Sequence, residues 1–472
     1  NMTYKNQWYW NFANNINNVT ENGWRRATNS VFGSVQMAYN EYVSLDITAR
    51  NDWSSTLPKD NNSYFYPSFN LGFVASDFVR THWNKMPEWI TFAKVRLSAA
   101  KVGKDAPPYA IYNRWEGGYL KGQAKKPELS STKANNNLRP ETSWSYEAGL
   151  DMKFLNNRLG FDFTYYYTRT TDQIMTIPEA APWKLRWINS GLIVNKGVEA
   201  MIYATPVQTK DFTFNLNVNL SHNTSTVKEL NEKKKHIYFE GDQFMPVYVG
   251  AVEGGKLGDI YAKRMYKRDE NGQIIMKNGV PVFTTDEQYS LDHPIGNIQP
   301  DLLMSVTPSF TYKGFTLSAL FDMKFGGDVV SVSEAIATSH GISKRTEQRG
   351  ELLLPGMNED GTVNTQRIDA QLFYQAVGGR QQAVAEEFVY DASFIRLKEI
   401  SFGYSFPSLL LRKTPVSSLR VSFVGRNLAY LMKHTPGTSP EGGYDTSMFS
   451  QALDFSSLPY SRTFGFSINV GF

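Results

Sequence analysis

The residues best suited to chemistry lie in Gly-, Asn- and aromatic-rich stretches. GAVEGGKL spaces Gly250, Gly255 and Lys256 as a phosphate-cradling loop does, up to its lysine. Leu257 then stands where a hydroxyl would hold magnesium, and no strand-then-helix context surrounds it, so the reading is a glycine-rich loop. RDENGQ and NEDGTV set Asp269, Glu270 and Asn271, and Glu359 and Asp360, beside glycines. Neither has EF-hand spacing, and Asn-Gly and Asp-Gly are turn dipeptides first. Calcium held by converging loop carboxylates is the one metal reading kept; no cofactor is otherwise expected. The six histidines, His82, His222, His236, His293, His340 and His434, stand apart from one another, and neither HExxH nor GxSxG occurs. The absence of cysteine rules out disulfides, thiolate nucleophiles and Cys-ligated metal clusters. No catalytic residue is assigned, and the chain reads as a non-enzyme. NEKKKH, residues 231–236, reads as a solvated loop.

Aromatic residues are more suggestive. Tyr109, Tyr112, Trp115 and Tyr119 crowd one stretch, and Trp183 and Trp187 another, amid Gly, Asn and Lys. Such rings stack on sugar faces and pack against peptides with little loss of rotamer entropy, and they serve equally to pack loops on one another. Tyr109, Trp115, Tyr119, Trp183 and Trp187 are the candidate substrate contacts.

The elements that must position these residues are strands. In TSWSYEAGLDMKF, Trp144, Tyr146, Ala148, Leu150, Met152 and Phe154 share one face, while Glu147, Asp151 and Lys153 share the other. After Asn156 and Asn157 the alternation resumes through Leu159, Phe161, Phe163, Tyr165 and Tyr167, which predicts a tight hairpin. The same grammar recurs over residues 212–221, 315–325 and 463–472, and about thirteen strands are expected in all. Ile395 and Leu397 keep a parity opposite to that of Ile400, Phe402 and Tyr404, which predicts a bulge at Lys398 and Glu399. Helical periodicity is confined to a turn or two within residues 76–90.

Composition bounds the setting. Among 472 residues, 49 Lys and Arg against 45 Asp and Glu leave a formal charge of +4, too little for a nucleic-acid binder relying on bulk charge. Mean hydropathy is −0.40, and no apolar run approaches the ~18 residues of a transmembrane helix. A transmembrane barrel remains open, because its alternating strands average to mildly polar. Turns at Asn40/Glu41, Asn156/Asn157, 208–210 and Lys313/Gly314 alternate with connections of roughly 35, 75 and 60 residues, far above usual loop lengths. Outer-membrane barrels sort their connections in this way, and sandwiches and propellers do not. Strands of ten to fifteen residues also exceed the soluble norm of ~5–6 and suit a tilted crossing of ~9–11. Trp144, Tyr165 and Tyr167 fit an interfacial girdle near strand ends.

Several segments, in order and spacing, resemble the C-terminal part of the SusC/RagA-like TonB-dependent transporters. They are SVFGSVQMAYNEYVSLDITARND, YPSFNLGFVASD, NNRLGFDFTYYYTRTTDQI, NSGLIVNKGVEAMI, DASFIRLKEISFGYSFP and LRVSFVGRNLAYL, and the resemblance covers essentially residues 1–472. It implies an all-β fold, a transmembrane antiparallel β-barrel with long extracellular loops, supplying about 13 of about 22 strands. The chain begins at Asn1 with no initiator Met and no leader, so either a leader has been removed or this is a piece of something longer. By the same resemblance the plug domain and remaining strands come from an N-terminal portion, a SusD-like surface lipoprotein forms a lid, and TonB drives uptake. The cargo is an oligosaccharide or a peptide, the location is the bacterial outer membrane, and transporter–lipoprotein pairs dimerise in this reading. Glu147, Asp151, Asp162, Asn215, Asn217 and Asp322 are expected to face the lumen. Phe464, Phe466, Ile468, Val470 and Phe472 look like the terminal signal for barrel assembly. The rival readings are a soluble β-sandwich that binds or hydrolyses carbohydrate, and a passive porin.

Overall fold

The computed structural model describes residues 23–83, 85–120, 123–230, 235–241, 245–437, 439–443, 450 and 453–472. One sheet of 14 strands dominates, and 13 of them follow each other in a single antiparallel path. They are β1 (Thr28–Tyr39), β2 (Val43–Ser54), β3 (Ser63–Val74), β4 (Ile90–Lys104), β5 (Glu141–Phe154), β6 (Leu159–Pro178) and β7 (Leu185–Gln208). The path continues through β8 (Phe212–Glu229), β9 (Leu302–Tyr312), β10 (Phe315–Phe325), β11 (Phe394–Ser405), β12 (Ser418–Lys433) and β13 (Thr463–Gly471). The short strand Thr132–Lys133 lies parallel beside β7. The expected number of strands is therefore met. β6 and β7 run much further than expected, so Tyr165 and Tyr167 lie well inside a strand and not near its end.

Tight turns fix the register. Asn40 and Glu41, Asn156 and Asn157, and Lys313 and Gly314 all have positive φ, the left-handed geometry that follows the strand twist in short hairpins; Tyr312 pairs with Phe315 across two residues, Tyr39 with Val43 across three, and Phe154 with Leu159 across four. Because side chains alternate along a strand, each register places whole rows of residues on one face. One row runs Phe214, Phe310, Leu317, Phe402, Phe423, Phe466 across six strands. The neighbouring row on the opposite face runs Thr311, Thr316, Gly403, Ser422, Ser467. Nearer the middle of the sheet, Leu71, Leu97, Ala148, Tyr165 and Val198 form an apolar row. Ser98, Glu147, Tyr166, Gly197 and Asn223 form the polar row beside it. The predicted bulge is present: the register steps from Leu397 to Glu399 against both neighbours and skips Lys398.

Among the described residues, no protein is packed over the apolar rows. Leu97 is 49% exposed, Phe402 50% and Tyr165 43%. The buried core lies elsewhere, in the long connections. Val247, Val249 and Ile260 from residues 230–301, Val330, Val332, Val377 and Phe388 from residues 326–393, and Leu453 from residues 434–462 pack into one cluster. Each such side chain contributes about 1.5–3 kcal/mol by leaving water. Helices that periodicity did not reveal support the cluster: Val332–Ser339, capped by Ser331, and Ala370–Val377, capped by Asp369. The expected helical turn after β3 is also present, as Ala75–Trp83. Among the described residues, no helix is long and apolar enough to cross a membrane.

Candidate functional site

The polar face of the sheet holds the candidate site. Its strands curve enough for Asp162 on β6 and Asp322 on β10, four strands apart, to line one cavity of about 420 Å³ with Glu199, Asn219 and Ser305. A second cavity of about 280 Å³ continues the same face through Asp46, Asn70, Lys94, Arg96 and Glu147. A third, of about 770 Å³, lies where this wall meets the long connections. Asn195, Asn223 and Lys324 form its wall side, and Gln299, Asp328, Glu441 and Tyr460 close it from the loops.

Glycine spacing lets long side chains lie across the wall. Arg96 crosses Gly149 to grip Asp162 with two hydrogen bonds of 2.8 and 2.6 Å, the bidentate fork that suits guanidinium and carboxylate. A Cβ at position 149 would sit 2.9 Å from that guanidinium. Tyr166 likewise crosses Gly197 and donates its hydroxyl to Asn223 Oδ1 at 2.9 Å. A Cβ at position 197 would meet the carbonyl oxygen of His222 at 2.2 Å, a contact no side chain tolerates.

Arg396 joins wall to loop. It is 5% exposed, binds Asp322 at 2.7 Å and Glu441 at 2.6 Å, and sits within 6 Å of the rings of Phe394, Tyr430 and Tyr460. Lys398, the bulged residue, also reaches Asp322 at 3.0 Å. A second network binds loop to loop: Tyr266 donates its hydroxyl to Glu387 at 2.7 Å, Arg268 pairs with Glu386 at 2.5 Å, and Arg345 pairs with Glu387. Burial, reinforced by the charge of Glu387, raises the Tyr266 hydroxyl far above the usual phenol range. Asp328 accepts the Asn297 backbone N–H at 2.9 Å; burial nonetheless pushes its carboxyl above the ordinary range, and nearby Asp391 adds to the rise.

Glu147, Asp162 and Asp322 line these cavities. Asp151 stands opposite Lys94 and Asp162 in register, on the same face. Asn215, bonded to Thr205 at 2.9 Å, and Asn217 share that face with Asn219 by strand parity. Sequence reading missed their partners Arg96, Arg396 and Lys398, because a diagonal or bulged pairing leaves no periodic trace.

The loop aromatics are spread out. Trp187 packs on the cluster of Leu57, Ala106, Ala110, Ile111 and Leu138. Tyr109, adjacent in sequence to that cluster, accepts the Arg25 N–H at 3.1 Å and lies beneath Arg114 at 5.4 Å. Trp183 sits in the turn between β6 and β7 with its N–H on the Ala180 carbonyl. Trp115 is 70% exposed; the side chain of Tyr119 lies outside the described residues. Phe464, Phe466, Ile468 and Val470 share one face of β13, where they oppose Gly425, Phe423, Val421 and Leu419, and Phe472 follows at 87% exposure.

The remaining motifs are structural here. Gly250 lies within the strand Val247–Val252, and Gly254 and Gly255 lead out of it. Asp269 accepts the N–H groups of Asn271 and Gln273, and Asp360 that of Thr362, so both carboxylates close turns. Among the described residues no three His, Asp or Glu side chains are grouped to hold a metal. Of NEKKKH, residues 231–234 lie outside the described residues, while Lys235 pairs with Glu253 at 2.7 Å.

Residues 2–259 match the family described as TonB dependent receptor-like, beta-barrel. The chain is 27% identical over 474 residues to TonB-dependent receptor P3 of Formosa agariphila, covering 94% of this chain and 45% of that protein. It is 25% identical over 451 residues to TonB-dependent receptor SusC of Bacteroides thetaiotaomicron, covering 90% and 43%. Among solved structures it is similar to the RagAB peptide importer in its open-open state, with a TM-score of 0.71 at 19% identity over 95% of this chain and 47% of that one. That likeness shows the fold. The chain spans about half the length of the curated relatives it matches. These relatives are named receptors, in agreement with the reading of a non-enzyme. On the residues matched, with a polar wall on one face and uncovered apolar rows on the other, the chain belongs to the TonB dependent receptor-like, beta-barrel family and is a bacterial outer-membrane β-barrel chain.

Proposed function

We propose that this chain supplies wall, loop platform and part of the cargo cavity of a TonB-dependent importer of glycans. The observation that carries the reading is the 770 Å³ cavity between the polar wall and a packed loop core, set on a sheet whose other face is apolar and uncovered. β1 and β13 each pair on one side only among the described residues. Lipid tolerates no open sheet edge, so a further barrel portion carrying a plug completes the wall. Polar wall residues such as Glu147, Asp151, Asn215 and Asn217 face the lumen and the plug, and the β13 apolar series Phe464, Phe466, Ile468 and Val470 with Phe472 acts in assembly. A SusD-like lipoprotein covers the loops, TonB pulls on the plug, and Tyr109, Trp115, Tyr119, Trp183 and Trp187 contribute cargo contacts from the loops. The two ionisable side chains of opposite type in the cavity lining, Lys324 and Asp328, favour oligopeptides as the second cargo class.

The test is to purify the full-length protein from outer membranes in mild detergent and to identify co-purifying polypeptides and bound cargo by mass spectrometry. A plug-bearing portion, a lipoprotein and an oligosaccharide are the expected set; bound peptides would select the second class. Recovery from the soluble fraction without detergent would overturn the importer reading.

A further inference from the structure

Five of the six short connections at one end of the sheet repeat a two-part pattern, the exception being the β1–β2 turn, which carries Glu41 and no cation. Trp83 precedes Lys85, Leu155 precedes Arg158, Val207 precedes Lys210, Tyr312 precedes Lys313, and Leu409 and Leu410 precede Arg412 and Lys413. Each apolar member is exposed, from 42% at Val207 to 71% at Leu409. Scattered exposed apolar residues need no account, but the same order repeated from turn to turn along one rim does. Of the cations, Lys85, Lys210, Lys313, Arg412 and Lys413 make no ion pair among the described residues, whereas Arg158 donates to the carbonyls of Thr205 and Pro206 at 3.2 and 2.8 Å. The six short connections hold seven Lys and Arg against four Asp and Glu, and one of those acids, Asp77, is engaged by Arg80 at 3.1 Å.

Position supplies the rest. These connections adjoin the apolar rows, with Trp89 stacked on Phe154 at 5.7 Å just inside the rim. On the apolar side Lys313 lies over Tyr312 at 5.4 Å. An apolar group at the edge of a lipid-facing surface, with a cation one to three residues further out, matches the acyl boundary and the phosphate plane of a leaflet. We propose that the short-turn rim binds anionic phospholipid headgroups, each of these five turns seating its apolar side chain at the acyl boundary and its Lys or Arg on a headgroup phosphate. The proposal rests on the barrel reading above, which makes this rim the periplasmic one and the surface it meets the inner leaflet.

The magnitude follows from the charges. Each basic side chain close to an anionic surface favours it by about fivefold, so a ring of them discriminates strongly between anionic and zwitterionic lipid. The test uses the full-length transporter complex purified from outer membranes and exposed to equal amounts of phosphatidylglycerol and phosphatidylcholine in mixed micelles, with retained lipid read by native mass spectrometry. Phosphatidylglycerol is expected to be retained at least about tenfold over phosphatidylcholine. The combined Lys85→Gln, Lys313→Gln, Arg412→Gln and Lys413→Gln variant is expected to lose that preference while keeping its folded, heat-modifiable gel band. The Leu409→Ser and Leu410→Ser pair is expected to retain fewer lipids with the preference intact, which separates anchor from charge. Equal retention of both lipids by the native complex overturns the proposal, as does an unchanged preference in the Gln variant. A Gln variant that sheds a co-purifying polypeptide with its lipid preference unchanged assigns the rim to a protein and overturns it too. Recovery from the soluble fraction overturns both readings, whereas a membrane protein without headgroup preference overturns this one alone.

Discussion

At the scale of single residues, the wall depends on what its glycines leave out. Gly197 lets the Tyr166 ring lie flat against β7 and reach Asn223. A Cβ there would collide with a backbone carbonyl at 2.2 Å, and a carbonyl within a ladder cannot step aside. Gly197→Ala is therefore expected to cost about 1–3 kcal/mol and to lower the temperature at which the folded band is lost on a gel. At Gly149 the same methyl would meet only the tip of Arg96, which can swing away. Gly149→Ala should cost less and show itself as loss of the Arg96–Asp162 pair. Tyr266 offers a different probe. Burial keeps its hydroxyl protonated at pH values where the unfolded chain's phenol, with a pKa of about 10, ionises. The folded pKa is thus raised, so this contribution is fully present below about pH 10 and is lost as pH rises beyond it. Tyr266→Phe should flatten that alkaline limb, followed as protease accessibility of the loops. At neutral pH it should cost about 1.5–3 kcal/mol, because Glu387 loses a charge-assisted donor.

At the scale of elements, the bulge at Lys398 decides which face Arg396 joins. Strand parity has a period of two, so removing one residue moves every side chain on one side of the deletion to the opposite face. Deleting Lys398 should therefore turn either Arg396 or the Ile400–Phe402–Tyr404 series the wrong way and break the joint among Arg396, Asp322 and Glu441. Protease cleavage within residues 434–462 of the folded protein should rise accordingly, whereas Lys398→Ala, which keeps the register, should leave it nearly unchanged. The bulge was legible because the parity change is local, and so were the strands and tight turns. The loop core was not. Val247, Val330, Phe388 and Leu453 meet from three connections far apart in sequence, and none carries a period that announces its partner. The helices Val332–Ser339 and Ala370–Val377 sit inside stretches that read as loop, since their length is set by packing against that core. The candidate site was legible to the same degree: Asp162 and Asp322 by parity, but not Arg96 or Arg396, whose pairings depend on a glycine beneath one and a bulge beside the other.

At the scale of the whole molecule, the two faces of the sheet must meet two different solvents. Leu97 and Ser98 are neighbours at the middle of β4. Leu97 lies in the apolar row with Leu71 and Tyr165, and Ser98 in the polar row with Glu147 and Asn223, one residue and one face apart. In a sandwich the Leu97 side would be covered by a second sheet, and the Ser98 side would face water. In a lipid-embedded barrel, Leu97 faces acyl chains and Ser98 a wet interior. These 472 residues contain no cysteine, so an introduced thiol is the only one among them, and labelling is read against the protein without it. In membranes holding the full-length transporter, Leu97→Cys should react with a bilayer-soluble maleimide and resist a charged, water-soluble one. Ser98→Cys should show the opposite preference and, in the importer proposed above, become protected when cargo fills the cavities along its wall. The pair also locates the hydrophobic belt. Moving the Leu97→Cys thiol along β4 by two residues at a time should keep the lipid-side pattern until the probe passes the interface. The number of steps gives the thickness spanned, which must be close to the ~25 Å apolar band of an outer-membrane barrel. A charged side chain at Leu97 should then cost about 2–4 kcal/mol of folding free energy in lipid, and far less at Ser98. Equal labelling of both thiols by the water-soluble reagent would mean that neither face meets lipid, and the assignment of wall and belt would fall together.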